Sequence, residues 1–297
     1  MSNKPRKMTL EKKHNLTGWA FLAPATFLIA VFSFWPMIKA LVLSFQTGKG
    51  RNMQMAGFTN YIRMFQDDVF IQSIKNTFFY FILQVPIMLV VALVLACILN
   101  KKDLRFKGFF RTMIFVPCTT SLVAYSIIFR SLFANDGLVN YVLVNLGILD
   151  KPYNFLTQPF AAKIVIILAL LWRWTGYNMV FFLSGLQNIE YSVYEAAKID
   201  GASAIQTFFK ITVPLLKPTI LLTAIMSTNG TLQLFDESIN LTDGGPANAS
   251  ISMSHYIYNL CFKYVPNFGY AAAMSFFILL LVAVLALIQM RVGDKRD

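Results

Sequence analysis

The sequence predicts an all-α membrane protein with six transmembrane helices. Two observations support this prediction. Hydrophobic residues make up 57% of the chain and charged residues only 13%, whereas about a quarter of a soluble domain is charged. In addition, several apolar segments approach the roughly 20 residues that a helix needs to cross a bilayer. A large soluble protein with an unusually apolar core is the weaker interpretation.

The six predicted spans follow one another without a linker or a convincing internal repeat, so we expect one membrane domain over residues 16–290. Their approximate bounds are 16–45, 76–99, 109–132, 161–186, 218–235 and 270–290. The first has a basic flank like that of a signal peptide. Its apolar run exceeds the roughly 7–15 residues of a signal sequence, however, so we expect a retained helix. The fifth span is weak and polar.

The distribution of Lys and Arg predicts the side of the membrane that each loop faces. Four basic segments, which together carry 16 Lys and Arg residues, alternate with three loops that together carry six. The basic segments are 1–15, 101–111, 187–217 and 291–297, and the loops are 46–75, 133–159 and 237–268. Because basic loops stay in the cytoplasm, both termini and the 187–217 loop are predicted to be cytoplasmic. This asymmetry explains the net charge of +12 better than nucleic-acid binding does.

The 187–217 loop carries the most specific motif in the chain. It contains Glu195-Ala196-Ala197, then Gly201 after three residues, then Ile211-Thr212-Val213-Pro214 after nine more. We expect a short helix that begins at Tyr191 and ends before Gly201. The spacing resembles the EAA loop of ABC importer permeases, with Val213 in place of Leu as the one departure. An ordinary amphipathic loop is the alternative.

The resemblance implies that a cytoplasmic ATPase binds this loop. The residues that it assigns to coupling are Glu195, Ala196, Ala197, Asp200 and Gly201. Further matches extend the resemblance over most of the chain. They are Leu241–Pro246, which resembles the LT-x-GGP segment of sugar-class permeases, together with Phe268–Ala273, Phe58–Tyr61 and Asn76-Thr77. The chain is therefore similar to carbohydrate importer permeases of the maltose-permease class.

Membership of that class would imply several partners and a location. We expect a second homologous permease, two copies of a cytoplasmic ATPase, and an extracellular sugar-binding lipoprotein or periplasmic protein. The complex would lie in the bacterial cytoplasmic membrane, and ATP and Mg²⁺ would bind the ATPase subunits. This chain has no G-x-x-x-x-G-K-[ST] phosphate loop, because Gly48-Lys49-Gly50 lacks the spacing. We therefore expect a non-catalytic subunit without a cofactor of its own.

Polar residues inside the spans indicate a substrate pathway, since ionisable groups at membrane depth usually face a bundle interior or a wet cavity. Arg173 and Tyr177 share one helical face beside Trp174, and Ser227, Gly230 and Thr231 share a face of the fifth span. The resemblance places sugar contacts at these six positions and at Leu170. Only Tyr177 and Ser227 keep the residue type of the maltose permease.

Alternatives remain for each of these residues. Arg173 could pair with an internal acid while the neighbouring Trp residues pack, and Ser227 and Gly230 could serve helix packing. As a pathway residue, Arg173 would favour an acidic sugar or a sugar phosphate.

The three Cys and two His residues show no metal-ligand spacing. A stand-alone secondary transporter is the competing function, although no inverted repeat supports it; a membrane enzyme would need a catalytic constellation that the sequence lacks.

Overall fold

The computed structural model describes residues 10–49, 52–101 and 103–293. The predicted basic termini, 1–15 and 291–297, therefore lie only partly within the described residues. In these ranges four helical rods are long and apolar enough to cross a membrane. Two further pairs of helices reach that length only if each bent pair is counted as one span, which would give six.

The described secondary structure is helical except for one β-hairpin. The first rod consists of α1 (Leu10–Ile29), a π-helical turn (Ala30–Phe34) and α2 (Trp35–Ser44), and the hairpin pairs β1 (Gln46–Lys49) antiparallel to β2 (Asn52–Met55). The helices before the 187–217 loop are α3 (Thr59–Met64), α4 (Asp68–Leu99), α5 (Lys107–Thr119), α6 (Leu122–Leu132), α7 (Leu138–Asn145) and α8 (Pro159–Gln187). Within and after the loop come α9 (Tyr191–Ile199), α10 (Ala204–Thr207), a π-helical turn (Phe208–Thr212), α11 (Val213–Leu215), α12 (Lys217–Leu232), α13 (Asp236–Thr242), α14 (Met253–Tyr258), another π-helical turn (Asn259–Lys263) and α15 (Phe268–Gly293).

The four continuous rods correspond to the first, second, fourth and sixth predicted spans, but their bounds differ. The largest difference is in α4, which begins at Asp68 rather than near residue 76. Asp67 explains the earlier start, because its Oδ1 accepts hydrogen bonds from the backbone N–H groups of Val69 (3.0 Å) and Phe70 (3.2 Å). This N-cap satisfies donors that a helix start leaves unpaired, so the helix extends into the predicted loop.

The third predicted span is not a straight helix. Its two halves, α5 and α6, meet at an angle of 99°. Thr120 and Ser121 have extended backbone conformations between them, and Pro117 lies in the last turn of α5. A second bend, of 70°, lies just before the fifth predicted span, where the Ala204–Leu215 segment joins α12. Both bends are tertiary features that apolar length does not reveal.

The packed centre of the molecule is the contact between α4 and α8. One cluster of buried apolar side chains joins α4 and α8 to Leu216 near the 187–217 loop, and another joins the middle of α8 to α6 and α13. A third joins α14 and α15 to the start of α4. The first rod differs, because in its described part only Ser44 is buried.

The chain connections fall at two ends of the helical bundle. At one end, which we call the loop end, the 187–217 loop lies beside the α4–α5 connection, and Gly293 at the end of α15 lies beside Leu221 of α12. At the opposite end, Gly269 lies against the backbone of Gln46. Three of the segments predicted to be basic, namely 101–111, 187–217 and the described start of 291–297, thus lie at the loop end.

Candidate functional site: the 187–217 loop and its polar helices

The 187–217 loop folds as two short helices joined by a turn at Gly201. α9 begins at Tyr191 and ends at Ile199, as the motif predicts, and Gly201 adopts φ +74°. A side chain is strained in that left-handed conformation, so glycine suits the turn. Ser203 then starts α10 with a capping box, in which Gln206 N donates to Ser203 Oγ (3.3 Å) and Ser203 N donates to Gln206 Oε1 (2.8 Å).

Most of this loop is exposed. Of the five residues assigned to coupling, Glu195, Ala196, Asp200 and Gly201 are exposed and only Ala197 is buried. Three apolar side chains also face outward, since Ile199 is 85%, Ile205 72% and Phe209 65% exposed. Several exposed apolar side chains in one short loop, with charged neighbours, are typical of a protein-binding surface.

A cavity of about 720 Å³ lies between this loop and the α4–α5 connection. Asn100, Lys101 and Asp103 line one wall, and Tyr191 and Tyr194 of α9 line another. The hydroxyls of Tyr194 and Thr212 lie 3.4 Å apart and connect α9 to the segment before α12. The cavity leaves α9 anchored mainly through its own loop and the end of α8.

Arg173, a predicted pathway residue, is buried with Nη1 directed at the break between α5 and α6. Its Nη1 donates to the carbonyl oxygens of Thr120 (2.7 Å) and Pro117 (3.4 Å) and lies 3.2 Å from Thr120 Oγ1. The guanidinium carbon is 4.9 Å from the ring centroid of Tyr125. A cation at the carboxyl end of a helix is favourable, because the last carbonyls lack intrahelical partners.

An acid does lie near Arg173, but a tyrosine separates them. The hydroxyl of Tyr125 donates to Oε1 of Glu237, which is buried on α13. Burial raises the pKa of Glu237, and the hydrogen bond from Tyr125 opposes that rise. Within the described part of the chain, no carboxylate forms an ion pair with Arg173. Arg173, Tyr125 and Glu237 therefore join α8, α6 and α13.

The neighbours of Arg173 fall into two groups. Trp172 stacks on Tyr125 and is tilted against Phe129, while Leu170 is buried in the same apolar cluster. Trp174 and Tyr177 are half-buried and contact each other edge to face, with ring centroids 5.8 Å apart. Trp174 and Tyr177 thus keep partly accessible faces, whereas Leu170 lies in the core.

Two of the three residues on the polar face predicted for the fifth span turn towards other helices of this chain. Ser227 Oγ donates to Asn178 Oδ1 on α8 (3.3 Å), and Thr231 Oγ1 donates to Gln84 Oε1 on α4 (2.8 Å). Gly230 is exposed, and a β-carbon there would have no atom within 4 Å. The structure thus connects Ser227 and Thr231 to two amides, Asn178 and Gln84, that were not among the predicted site residues.

Two exposed amides on α12 were also not among them. Asn229 and Gln233 are one turn apart and point outward, and Gln233 Nε2 donates to Asn229 Oδ1. The sequence contained a signal for them, because both belong to the polar cluster of the fifth span. Helical spacing separates that cluster into two faces but does not determine which one faces outward.

The segment after α13, which contains the GGP sequence, is fixed at the opposite end. Asn76 Nδ2 donates to the carbonyls of Asn248 (3.1 Å) and Ile251 (2.9 Å). Tyr80 donates to the carbonyl of Ser250 (3.0 Å), and Met253 N donates to Thr77 Oγ1 (3.2 Å). Ser250 Oγ in turn donates to the carbonyl of Gly245 (2.6 Å), so the distant motifs Asn76-Thr77 and Leu241–Pro246 belong to one hydrogen-bonded structure.

Comparison with known families covers most of the chain. The family described as "Binding-protein-dependent transport system inner membrane component" matches residues 67–296. The chain is 51% identical over 292 residues to the lactose transport system permease protein of Rhizobium radiobacter, with 98% of each chain covered. It is 32% identical over 280 residues to the arabinooligosaccharides transport system permease protein of Bacillus subtilis, which covers 93% of this chain and 88% of that one.

A solved structure with a similar fold is titled "Crystal structure of bacterial alginate ABC transporter in complex with alginate pentasaccharide-bound periplasmic protein". The TM-score is 0.85 at 25% sequence identity, and the match covers 98% of both chains. The similarity therefore extends over almost the whole fold.

Proposed function

Because this chain belongs to the family of binding-protein-dependent transport system inner membrane components, we propose that it couples sugar transport to a cytoplasmic ATPase through its 187–217 loop. It is a sugar-type ABC transporter permease and a membrane protein. In our proposal it forms half of the translocation pathway, and a second homologous permease forms the other half. Two ATPase subunits would bind ATP and Mg²⁺, and an extracellular binding protein would deliver the sugar.

The exposed apolar surface of the loop is the observation on which the coupling proposal depends. Ile199, Ile205 and Phe209 lie at the basic end of the molecule, beside the exposed Glu195 and Asp200. The positive-inside rule favours the cytoplasm for this end, where lipid would not cover these side chains. A partner with an apolar cleft would bury them, and the two carboxylates would orient the contact.

The helices on either side of the loop provide a route from the ATPase to the pathway. α8 ends at Gln187 and α12 begins at Lys217, so both connect directly to the loop. The Asn178–Ser227 hydrogen bond joins them at depth, and the Gln84–Thr231 bond joins α12 to α4. A displacement of the loop would therefore move α8 and α12 together and change which end of the pathway is open.

We propose a neutral disaccharide or oligosaccharide as cargo, with lactose as the first sugar to test because of the 51% identical relative. Arg173 argues against a preference for an acidic cargo. Its side chain is only 6% exposed, and Nη1 donates to backbone carbonyls of the α5–α6 break. Burial and the engagement of Nη1 leave little of the guanidinium accessible for a bidentate pair with a carboxylate or phosphate, although its buried Nε has no hydrogen-bond partner among the described residues.

Coupling is tested by two substitutions in the exposed loop, Glu195→Lys and Ile199→Asp, in the co-expressed complex. Both variants should insert and purify, yet lose ATPase co-purification and lactose uptake by about tenfold or more, as expected for contacts at the centre of an interface. Asp150→Lys is the matched control, because it reverses an exposed acid at the opposite end. Wild-type uptake by both loop variants would refute the proposed coupling role.

The preference for neutral cargo is tested with Arg173→Met, which keeps the apolar stem and removes the charge. We expect lower thermal stability and an equal proportional change in uptake of lactose and of an acidic disaccharide. Selective loss of the acidic sugar would contradict the proposal and would place Arg173 in the pathway.

A further inference from the structure

The outward face of α12 is polar towards the end of the helix that is remote from the 187–217 loop. Its exposed side chains recur at helical spacing, and the face consists of Leu222, Met226, Asn229, Gly230 and Gln233. Leu222 and Met226 suit a membrane environment, but the two amides do not, because their hydrogen-bonding groups are costly to place in hydrocarbon. A polar occupant therefore covers the Asn229 and Gln233 part of the face in the assembled protein.

These amides border a groove of about 340 Å³ between α12, α14 and α15. Ser254 on α14 and Ser275 on α15 also line it. Apolar side chains form the remaining wall, namely those of Ile257, Ile278, Leu279 and Val282. An apolar wall with a few convergent polar groups is typical of a small-molecule site.

The chemistry of the lining identifies a class of ligand. Every residue that lines the groove is uncharged, which disfavours a phosphate or carboxylate ligand. An acyl chain would leave the amides unpaired. A sugar ring fits both the polar groups and the apolar wall of the groove. Its hydroxyls can exchange hydrogen bonds with the amides and serines, while its C–H faces contact the aliphatic side chains.

The groove also lies where cargo would arrive. Asn229 and Gln233 are at the end of α12 that is remote from the 187–217 loop, beyond Ser227 along the helix. Ser227 and Thr231 already donate to Asn178 and Gln84, whereas Asn229 and Gln233 have their other hydrogen-bonding groups directed outward. The outward amides are therefore better placed than the Ser227 face to meet a sugar.

We propose that Asn229 and Gln233, together with Ser254 and Ser275, form a hydroxyl-recognition site for a neutral sugar at the mouth of the pathway. This inference rests on the proposed function as a sugar importer permease. Of the residues that sequence matching assigned to sugar contacts on this helix, Ser227 and Thr231 face other helices of the chain, and Gly230 lies on the outward face with Asn229 and Gln233.

The test uses the complete complex with its partner permease and ATPase, purified without the binding protein, and measures equilibrium binding of radiolabelled lactose. The double variant Asn229→Leu/Gln233→Met keeps side-chain volume but removes the amides. We expect its dissociation constant to rise about 5- to 30-fold, the loss expected for one or two hydrogen bonds. Met226→Leu, an apolar exchange on the same face, is the matched control and should bind as the wild type does.

Lactose analogues that each lack one hydroxyl distinguish direct contact from a structural effect. In the wild type, the analogue that lacks the contacted hydroxyl should bind more weakly than lactose, and in the double variant this difference should disappear. The inference is wrong if the double variant binds lactose normally or retains the wild-type preference among analogues. It is equally wrong if the variant no longer assembles with the second permease, since the face would then be a subunit contact.

Failure of the proposed function would be recognised separately. A wild-type complex that shows no ATP-dependent uptake of lactose or of an arabinooligosaccharide would contradict the function before any variant was compared. A wild-type complex that imports sugar, together with unchanged binding by the double variant, would overturn only the role of the α12 groove.

Discussion

The 187–217 loop and the 236–260 segment lie at opposite ends of the bundle, and the chain holds them in different ways. Both are polar and both contain a recognisable motif. In the 187–217 loop, however, Ala197, Thr212 and Leu216 are the buried residues, and apolar side chains such as Ile199 face outward. In the 236–260 segment, Glu237, Ser238, Ser250, Ser252 and His255 are all buried.

The hydrogen bonds show the same contrast. The 236–260 segment is bonded to α4 through Asn76, Thr77 and Tyr80, residues more than 150 positions away in sequence. The loop relies mainly on local bonds such as the Ser203–Gln206 capping box. A motif can therefore indicate internal packing in one place and a surface for a partner in another. The four predictions below test this distinction, and they begin with the largest expected effect on stability.

Asn76→Ala should destabilise the protein by about 2–3 kcal/mol, because it removes the side-chain donor to the buried carbonyl of Ile251 and one of the two donors to the part-buried carbonyl of Asn248. Unfolding in detergent can be followed with a thiol-reactive fluorophore, since Cys97, Cys118 and Cys261 are free and partly buried. Gln72→Ala is the matched control. It removes a bond to Asn76 itself but leaves both loop carbonyls paired. Equal melting of the two variants would contradict the proposed anchoring.

The stability of the 236–260 segment should fall in acid because of His255. Its side chain is fully buried, with Nδ1 2.9 Å from Ser238 Oγ and Nε2 3.7 Å from Asp243 Oδ1, and Asp243 also pairs with Lys263 at 2.9 Å. Burial lowers the pKa of His255 to about 4, and Lys263 adds to this while Asp243 opposes it. The unfolded chain then binds more protons than the folded chain between about pH 6.5 and 4, so the stability present above pH 6.5 is lost across that window.

The measurement is the melting temperature of wild type and His255→Asn from pH 7.5 to 4.5. On acidification, the free energy of unfolding of the wild type should fall by about 1–3 kcal/mol more than that of the variant, so its melting temperature should fall further. Asp243→Asn removes the acid that faces His255 and serves as a control for titration of that carboxylate. Parallel pH profiles of wild type and His255→Asn would show that His255 does not carry the effect.

Gly201→Ala should have a smaller, local effect. The positive φ of Gly201 makes a β-carbon cost about 1–2 kcal/mol although the surrounding space is open. We expect faster hydrogen exchange in residues 198–204 with little change in global melting, because the loop is held mainly by local bonds. Gly108→Ala, at an open position in α5 without a positive φ, is the control. A large fall in melting temperature would show that the loop belongs to the core structure.

Ile205→Ala should leave stability unchanged within about 0.5 kcal/mol, because the side chain is 72% exposed. The same substitution should weaken binding of the ATPase subunit, measured by titration of the purified permease pair. Ile148→Ala, which alters a residue 64% exposed at the opposite end, is the matched control. Loss of stability together with normal ATPase binding would reverse the proposed roles of the two regions.

The sequence predicted much of the fold, and the reasons are local. The continuous rods containing α4, α8 and α15 follow from long apolar runs, and the α9–turn–α10 structure follows from Tyr191, Gly201 and the motif spacing. The bend of 99° between α5 and α6 was not predicted. It depends on extended backbone at Thr120 and Ser121 and on Arg173, which comes from another helix, so no local pattern contains it.

The sequence by itself therefore determined that the chain is helical and apolar enough for a membrane, and it located the polar loop with its motif. Tertiary structure alone decided how each helix is rotated. Ser227 and Thr231 turn inward to Asn178 and Gln84, whereas Asn229 and Gln233 turn outward. Composition and periodicity define the faces of a helix, but which face is buried depends on neighbouring helices that are distant in sequence.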